Sequence, residues 1–383
     1  MRTRKENEYD DFGIVTDFSN LYNAHKSCRK GKLYKTAVST YESRSLESTY
    51  YLKYLLETGK YRMGKYHCFE VNERGKIRDI KSTQYKDRIV QKSLHENVLI
   101  PRIAPTLIYD NSASLKNKGT DFALNRLKIH LRHHIAKHGV NGYILIGDCS
   151  GYFDSLRHKM LDDFYKSQFT DERIIDLVKL IHATIPGGKG VPLGNQLSND
   201  DGLIAASPID HMVKERLHIK GYGRYNDDFY LIHTDKEYLK YCLKEIGKKA
   251  EELGLKLNEK KTKIVPLTTG INFLGFHIYV TETGKIIMRL KAKSKSYERR
   301  KLRKHKKKVD SGKMTYEKAR ESYSGWKASA SRGNTYYLLQ EMDCYFYSLF
   351  LLYLSDEEKE RYEKLKRHRE YRIRRRKEKC QNS

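Results

Sequence analysis

The sequence predicts an α+β fold ending in a strongly basic, helical C-terminal part. Three observations predict it. Apolar strand-like runs such as "GYILIGD" and "DFYLIH" alternate along the chain with segments of helical period. Carboxylates stand where those apolar runs begin or end, and beyond about residue 281 the composition turns to Lys and Arg. A mixed order of strands and helices is the mark of an α+β body.

The chain has 383 residues, enough for two or three modules, and carries a formal charge of +28 from 76 Lys plus Arg against 48 Asp plus Glu. Such a field suits a polyanion, and the 30 Tyr residues offer flat faces on which bases can stack. The bland alternative is a merely soluble basic protein. The six cysteines, at 28, 68, 149, 242, 344 and 380, form no C-x-x-C pair, which argues against a zinc finger or a disulfide framework and fits a reducing cytoplasm. There is no apolar run of membrane-spanning length, and the opening "MRTRKENEYDDFGIV" lacks the apolar stretch of a secretory signal, so a cytoplasmic location is expected.

Residues 1–60 alternate charged and apolar positions at helical spacing and are expected to form a helical N-terminal extension. From 61 to 118 short strand-like pieces flank a hairpin turn at Glu73–Gly75. A helix over 119–138 leads into the buried strand "GYILIGD", then helices over 155–167 and 170–184. The loop "PGGKGVPLGN" precedes a helix running to about 217; it is no Walker loop, because no G-x-x-x-x-G-K-[ST] occurs. A strand–turn–strand over "RYNDDFYLIH" is followed by a helix near 236–253 and strands in "LGLKLNEKKTKIVPL" and "NFLGFHIYV". Residues 281–383 read as a basic helical module gripping a phosphate backbone, with Trp326 in its core. His130, His134 and His138 share a helix face that is expected to be solvated.

Asp227 and Asp228 lie side by side within an aromatic and aliphatic run. Asn and Asp favour tight turns, so a hairpin alone would explain them. Asp148 alters that reading, because it ends a buried strand; Asp154, six residues on, reads as a helix N-terminal carboxylate. If the two strands are neighbours, three carboxylates converge, and like charges so close need a divalent cation between them. Magnesium, with manganese as the alternative, binds such oxygen ligands together with substrate phosphates. Two such ions drive in-line phosphoryl transfer.

At these residues the chain resembles the reverse transcriptases, in order from about 60 to 280. "DCSGYFDSL" is similar to the family's strand-borne aspartate motif, and Tyr225-Asn226-Asp227-Asp228 to its Tyr-x-Asp-Asp box. "PLGNQLSNDDGLIAASPIDH", "LNEKKT" and "FLGF" resemble the later elements, and "DRIVQ" the bacterial and group II intron branch. The resemblance implies a right-hand polymerase, with fingers and palm over 61–280 and a thumb over 281–383. It implies that Asp148, Asp227 and Asp228 hold the metals. Phe153 would be the steric gate excluding a 2′-hydroxyl, and Arg78 the fingers arginine on the triphosphate. Gly194 and Gln196 would line the nucleotide pocket, and Lys261 would protonate the departing pyrophosphate. Arg88 is expected to be structural.

The implied reaction is RNA-templated addition of deoxynucleotides to a 3′-hydroxyl. The implied partners are an RNA template and its RNA–DNA duplex, deoxynucleoside triphosphates, a cognate non-coding RNA and, as an open option, an accessory protein. Within the family, "LGNQ" leans toward diversity-generating retroelement enzymes, and a defence-associated enzyme acting against phage is the other subtype. Asn199 and Asn226 depart from the usual patterns at their positions. Two readings of another kind stay open: a catalytically inactive basic RNA-binding scaffold, and an RNA-dependent RNA polymerase.

Overall fold

The computed structural model describes residues 10–73 and 76–381. The chain divides into two compact units, Met1–Val265 and Pro266–Ser383.

In the first unit the N-terminal residues fold into helices Asp11–Thr16, Phe18–Arg29, Thr36–Ser43 and Ser45–Glu57, as their periodicity predicts. Asp17 starts the second of these by accepting a hydrogen bond from Asn20 N at 3.0 Å. Leu21, Ala24, Leu52 and Leu56 are buried in one core with Ile89, Val90 and Leu94 of helix Tyr85–Leu94, so the expected extension shares the core of the body it precedes. Strands β1 (His67–Glu73) and β2 (Lys76–Ser82) pair antiparallel, His67 opposite Ser82. The turn residues between them, where the sequence places the hairpin turn, lie outside the described residues.

The strand-like reading of 61–118 holds only for that hairpin. Residues 85–106 are helical, because Ile89, Val90, Ser93 and Leu94 recur at helical spacing and bury one face. Helix Thr120–His138 buries Ala123, Leu124, Leu127 and Leu131 together with His130 and His134, and it ends at Gly139, whose φ is +66°. The solvated face expected for the histidines is therefore corrected at two of them. His130 Nδ1 lies 3.0 Å from Tyr230 Oη, and His134 Nε2 donates to Asn141 O at 2.9 Å.

The central sheet has the order β4-β5-β3-β6, formed by β3 (Tyr143–Gly147), β4 (Gly221–Tyr225), β5 (Asp228–His233) and β6 (Lys263–Pro266). β3 and β5 run antiparallel with Tyr143 opposite His233 and Gly147 opposite Phe229. The helix predicted over 155–167 begins later, at His158, after a single turn at Tyr152–Ser155.

In the second unit β7 (Ile271–Phe273), β8 (Phe276–Val280) and β9 (Ile286–Leu290) form an antiparallel sheet. Leu274 and Gly275 turn β7 into β8 with φ of +44° and +91°, the twist a two-residue hairpin requires. The 280/281 boundary expected from composition falls inside this sheet, because "IIMRL" supplies a third apolar strand at the edge of the basic segment. Helices Ala292–Asp310, Tyr316–Ala330 and Tyr336–Leu349 then enclose Leu302, Tyr323, Phe346 and Phe350. Trp326 packs against this cluster, stacks 6.0 Å from Tyr323 and donates Nε1–H to Ser294 Oγ. No helix among the described residues is long and apolar enough to cross a membrane.

Candidate active site

The carboxylates meet because of strand register. Gly147 at the end of β3 pairs with Phe229, the second residue of β5, so the chain leaves β3 at Asp148 beside the end of the strand that begins with Asp228. Tyr225 pairs with Asp228, which leaves Asn226 and Asp227 as the two turn residues between β4 and β5. Asn226 adopts φ +52°, a left-handed conformation that Asn tolerates better than most residues. Turn chemistry thus explains the asparagine, and sheet topology explains why both aspartates face the end of β3.

Cys149 reports the field this creates. Its thiol is pushed up to about 12, first by burial and then by the charge of Asp227, with Asp148 and Asp228 adding and Arg224 opposing. Cys149 bridges Leu257, and Asp148 O accepts Asn258 N at 2.7 Å, which sets the "LNEKKT" turn beside the strand end. From that turn Lys261 Nζ donates to Asp148 Oδ2 at 2.7 Å. The Lys261 ammonium is held charged above its ordinary range, first by that bond, with Asp228 and Asp227 contributing. Four residues singled out by sequence, Asp148, Asp227, Asp228 and Lys261, are therefore brought together.

The set is suitable for a hard divalent cation. It consists of carboxylate oxygens, and an ammonium already sits on one of them as a stand-in positive charge. Among the described residues, no three His, Cys, Asp or Glu side chains converge into a ready-made cage.

The other predicted residues stand on neighbouring elements. Phe153, in the turn Tyr152–Ser155, packs its ring on Gly202 of helix Gln196–Ala205; a Cβ at Gly202 would meet Phe153 Cε1 at 2.9 Å. Gly194 has φ +109° and lies against β2, where a Cβ would come within 3.2 Å of Ile80 Cγ2 and Lys81 O. Lys81 N donates to Leu193 O at 3.0 Å, tying the same loop to the same strand. Gln196 opens its helix, its backbone N–H donating to Gln91 Oε1 at 3.1 Å. Arg78 stands in β2 opposite Val71, in a hairpin with no sheet pairing to the central strands. Arg88 donates to Thr83 O and Ser82 Oγ, the structural task expected of it.

Sequence reasoning missed the support beneath the aspartates. Arg224, 2 % exposed, donates from Nε and Nη2 to the carboxylate of Asp210, with Nη2–Oδ2 at 2.7 Å. Its Nη1 donates to Asn226 O at 3.0 Å and its Nη2 to Leu203 O at 2.8 Å. Tyr222 Oη donates to Asp210 Oδ1 at 2.6 Å. The available signal was a lone arginine two residues after Tyr222, hence on the same face of an otherwise apolar strand. Two further buried carboxylates stand within helix Gln196–Ala205. Asp200 is pushed up to about 6 by burial, with His95 at 2.8 Å opposing. Asp201 accepts Tyr165 Oη at 2.9 Å and faces His182 at 3.2 Å.

A sheet whose central hairpin presents paired aspartates to a third on the adjacent strand is the arrangement of a nucleotidyl-transferring palm. Residues 68–278, more than half of the chain, match the family described as "Reverse transcriptase (RNA-dependent DNA polymerase)", and the chain belongs to that family. Protein YkfC of Escherichia coli (strain K12) is 24 % identical over 247 residues, 53 % of this chain and 64 % of that protein. The chain thus spans less than two thirds of that relative's length. Telomerase from Candida albicans in complex with a TWJ fragment of telomeric RNA is similar at TM-score 0.45 and 13 % identity, covering 84 % of this chain and 68 % of that one. Apo telomerase from Candida tropicalis truncated from its C-terminal domain is similar at TM-score 0.42 and 16 % identity, covering 62 % and 59 %.

Proposed function

We propose that this chain is an RNA-directed DNA polymerase that adds deoxynucleotides to a 3′-hydroxyl on an RNA template. The observation that carries the reading is the β3–β5 register, which ends with Gly147 on Phe229 so that Asp148 and Asp228 adjoin the same end of the strand pair, with Lys261 bonded to Asp148.

Asp148, Asp227 and Asp228 are the residues that would hold magnesium or manganese. Two such ions, when bound, activate the attacking hydroxyl and neutralise the triphosphate. Lys261 carries a proton beside the same carboxylates, suited to meet the charge that develops on pyrophosphate. Arg78 offers the triphosphate a bidentate fork. Phe153, braced on Gly202, blocks a 2′-hydroxyl, while Gly194 and Gln196 present backbone close to the incoming base pair. The basic stretch after 281 supplies cations for the phosphates of the template–primer duplex.

The setting we propose is a bacterial or phage diversity-generating retroelement or an anti-phage defence system, with a cognate non-coding RNA, an accessory protein in the retroelement case, and a cytoplasmic location. "LGNQ" over 193–196 is what supports the retroelement.

Primer extension tests the activity, using purified protein, magnesium, deoxynucleotides and an RNA template carrying a DNA primer. Wild type should extend, and the Asp227→Ala, Asp228→Ala double variant should not. Equal extension by both would refute the assignment of the aspartates. Failure of both, with the native RNA supplied, would favour an RNA-binding scaffold.

A further inference from the structure

Phe153 is half-buried and stands in a single helical turn, Tyr152–Ser155. One turn of four residues is too short to hold a side chain in place through its own backbone bonds, so the position of the ring has to come from other elements. Two contacts supply it. Phe153 O accepts Val191 N at 2.9 Å, which ties down the backbone. The residue before it makes the second: Tyr152, 3 % exposed, donates from Oη to Gly202 O at 2.7 Å.

Gly202 lies in the last turn of helix Gln196–Ala205, and the Ala206 amide four residues on bonds Ile204 O. The Gly202 carbonyl is served from outside the helix, by Tyr152 Oη and, at 3.3 Å, by Arg224 Nη1. That same Nη1 donates to Asn226 O in the aspartate turn at 3.0 Å. Gly202 also carries both aromatic rings: a Cβ there would come 2.9 Å from Phe153 Cε1 and 3.6 Å from Tyr152 Cε1. The two rings meet edge to face, with centroids 5.4 Å apart and planes at 76°. Burial holds the Tyr152 phenol protonated above its ordinary range, so it remains a donor in neutral solution.

We propose that Tyr152 is a positioning residue for sugar selection, its bond to Gly202 O holding the Phe153 ring where a 2′-hydroxyl would fall. This rests on the polymerase reading and on Phe153 as the gate. Of the two bonds on Gly202 O, the shorter comes from Tyr152, and it joins the turn that bears the ring to the glycine the ring lies on. Without it, packing alone presses the ring onto that glycine, and the ring gains room to swing away from the sugar. A gate acts by steric overlap, so a small displacement is enough to admit the extra oxygen.

The test is single-nucleotide incorporation of dGTP and of GTP opposite a template cytosine, with kcat and KM for each, in wild type, Tyr152→Phe, Phe153→Ala and the double variant. The ratio of the two kcat/KM values is read on the same molecules, so any inactive fraction cancels from it. Tyr152→Phe should cut the preference for dGTP about fivefold, the size of one lost hydrogen bond, read as a gain for GTP larger than any loss for dGTP. In the Phe153→Ala background it should change the ratio by less than about twofold, because no ring is left to position. An unchanged ratio in Tyr152→Phe would overturn the proposal, as would an equal loss for both nucleotides with a lower Tm, which would leave Tyr152 as an end cap for the helix. So would a change in ratio that persists without the Phe153 ring. Wild-type sugar choice in Phe153→Ala would overturn the gate assignment, and no incorporation by wild type would refute the polymerase reading; either would take this proposal with it.

Discussion

Arg224 holds the turn of the aspartate hairpin through Asn226, donating from Nη1 to the Asn226 carbonyl at 3.0 Å while its other nitrogens grip Asp210. The guanidinium is buried, and its fork geometry lets one side chain serve a carboxylate, the turn and the carbonyl of Leu203 together. Arg224 therefore braces the turn that carries Asp227.

Removing this support should be costly. Arg224→Met leaves the fully buried Asp210 carboxylate without its cation and should destabilise the first unit by about 3–5 kcal/mol. Urea unfolding would measure the loss. Primer extension should fall even at temperatures where the variant stays folded, because the Asn226 carbonyl is released. Arg224→Lys, which lacks the planar fork, should recover only part of both properties.

Phe153 and Gly202 should act as a pair. Phe153→Ala should raise the use of ribonucleotides relative to deoxynucleotides by roughly tenfold or more, read from single-nucleotide incorporation. Gly202→Ala places a methyl group 2.9 Å from the Phe153 ring and should cost about 1–3 kcal/mol of stability. It should also lower deoxynucleotide incorporation, since the displaced ring encroaches on the nucleotide. Combined with Phe153→Ala, the glycine substitution should lose most of that penalty, which a double-mutant cycle would register.

Lys261→Ala should slow extension roughly a hundredfold as a lost proton donor. In the metal-free protein the bond to Asp148 holds the ammonium charged above its ordinary range. Lys261→Arg should retain charge but donate poorly, separating electrostatic support from proton transfer when rates are compared across pH.

His182 should give the first unit a pH-dependent stability. Burial opposes its charge, but Asp201 and Asp162 on either side prevail and hold the imidazolium up to about 9, above the ordinary 6.5. A group raised in the folded state stabilises fully below its unfolded pKa, and that contribution is lost as pH rises through the folded one. Stability should therefore decline between about pH 6.5 and 9, by on the order of 2 kcal/mol. Asp200, held up to about 6, completes its ionisation at the lower edge of this window and is charged in both states from about pH 7 upward, so it does not mask the effect. Urea midpoints at about pH 7 and pH 9.5 would show the decline, and His182→Gln should flatten it.

Much of the fold was legible because its signals are local. Helical period marks the N-terminal helices and Thr120–His138, Asn226 marks a turn, and apolar runs mark β3 and β5. Where segments were misread, local signals competed. Residues 85–106 carry enough β-branched residues to look strand-like, yet one apolar face at helical spacing prevails once it finds a core. "IIMRL" is hidden by flanking lysines, and it becomes a strand because β8 offers it an edge.

The sequence by itself determined that three aspartates and a lysine stand at the ends of apolar segments, and the order of those segments identified the family. Only the tertiary structure decided which strand lies beside which, that Asp148 and Asp228 adjoin the same end of the β3–β5 pair, and that Lys261 reaches back to Asp148. It also decided which charges are interior: Arg224 with Asp210, and His182 between Asp162 and Asp201. The physical reason is that turn and helix preferences are written in neighbouring residues. Buried ion pairs are satisfied by partners tens of residues away, and they become tolerable only after the chain has closed around them.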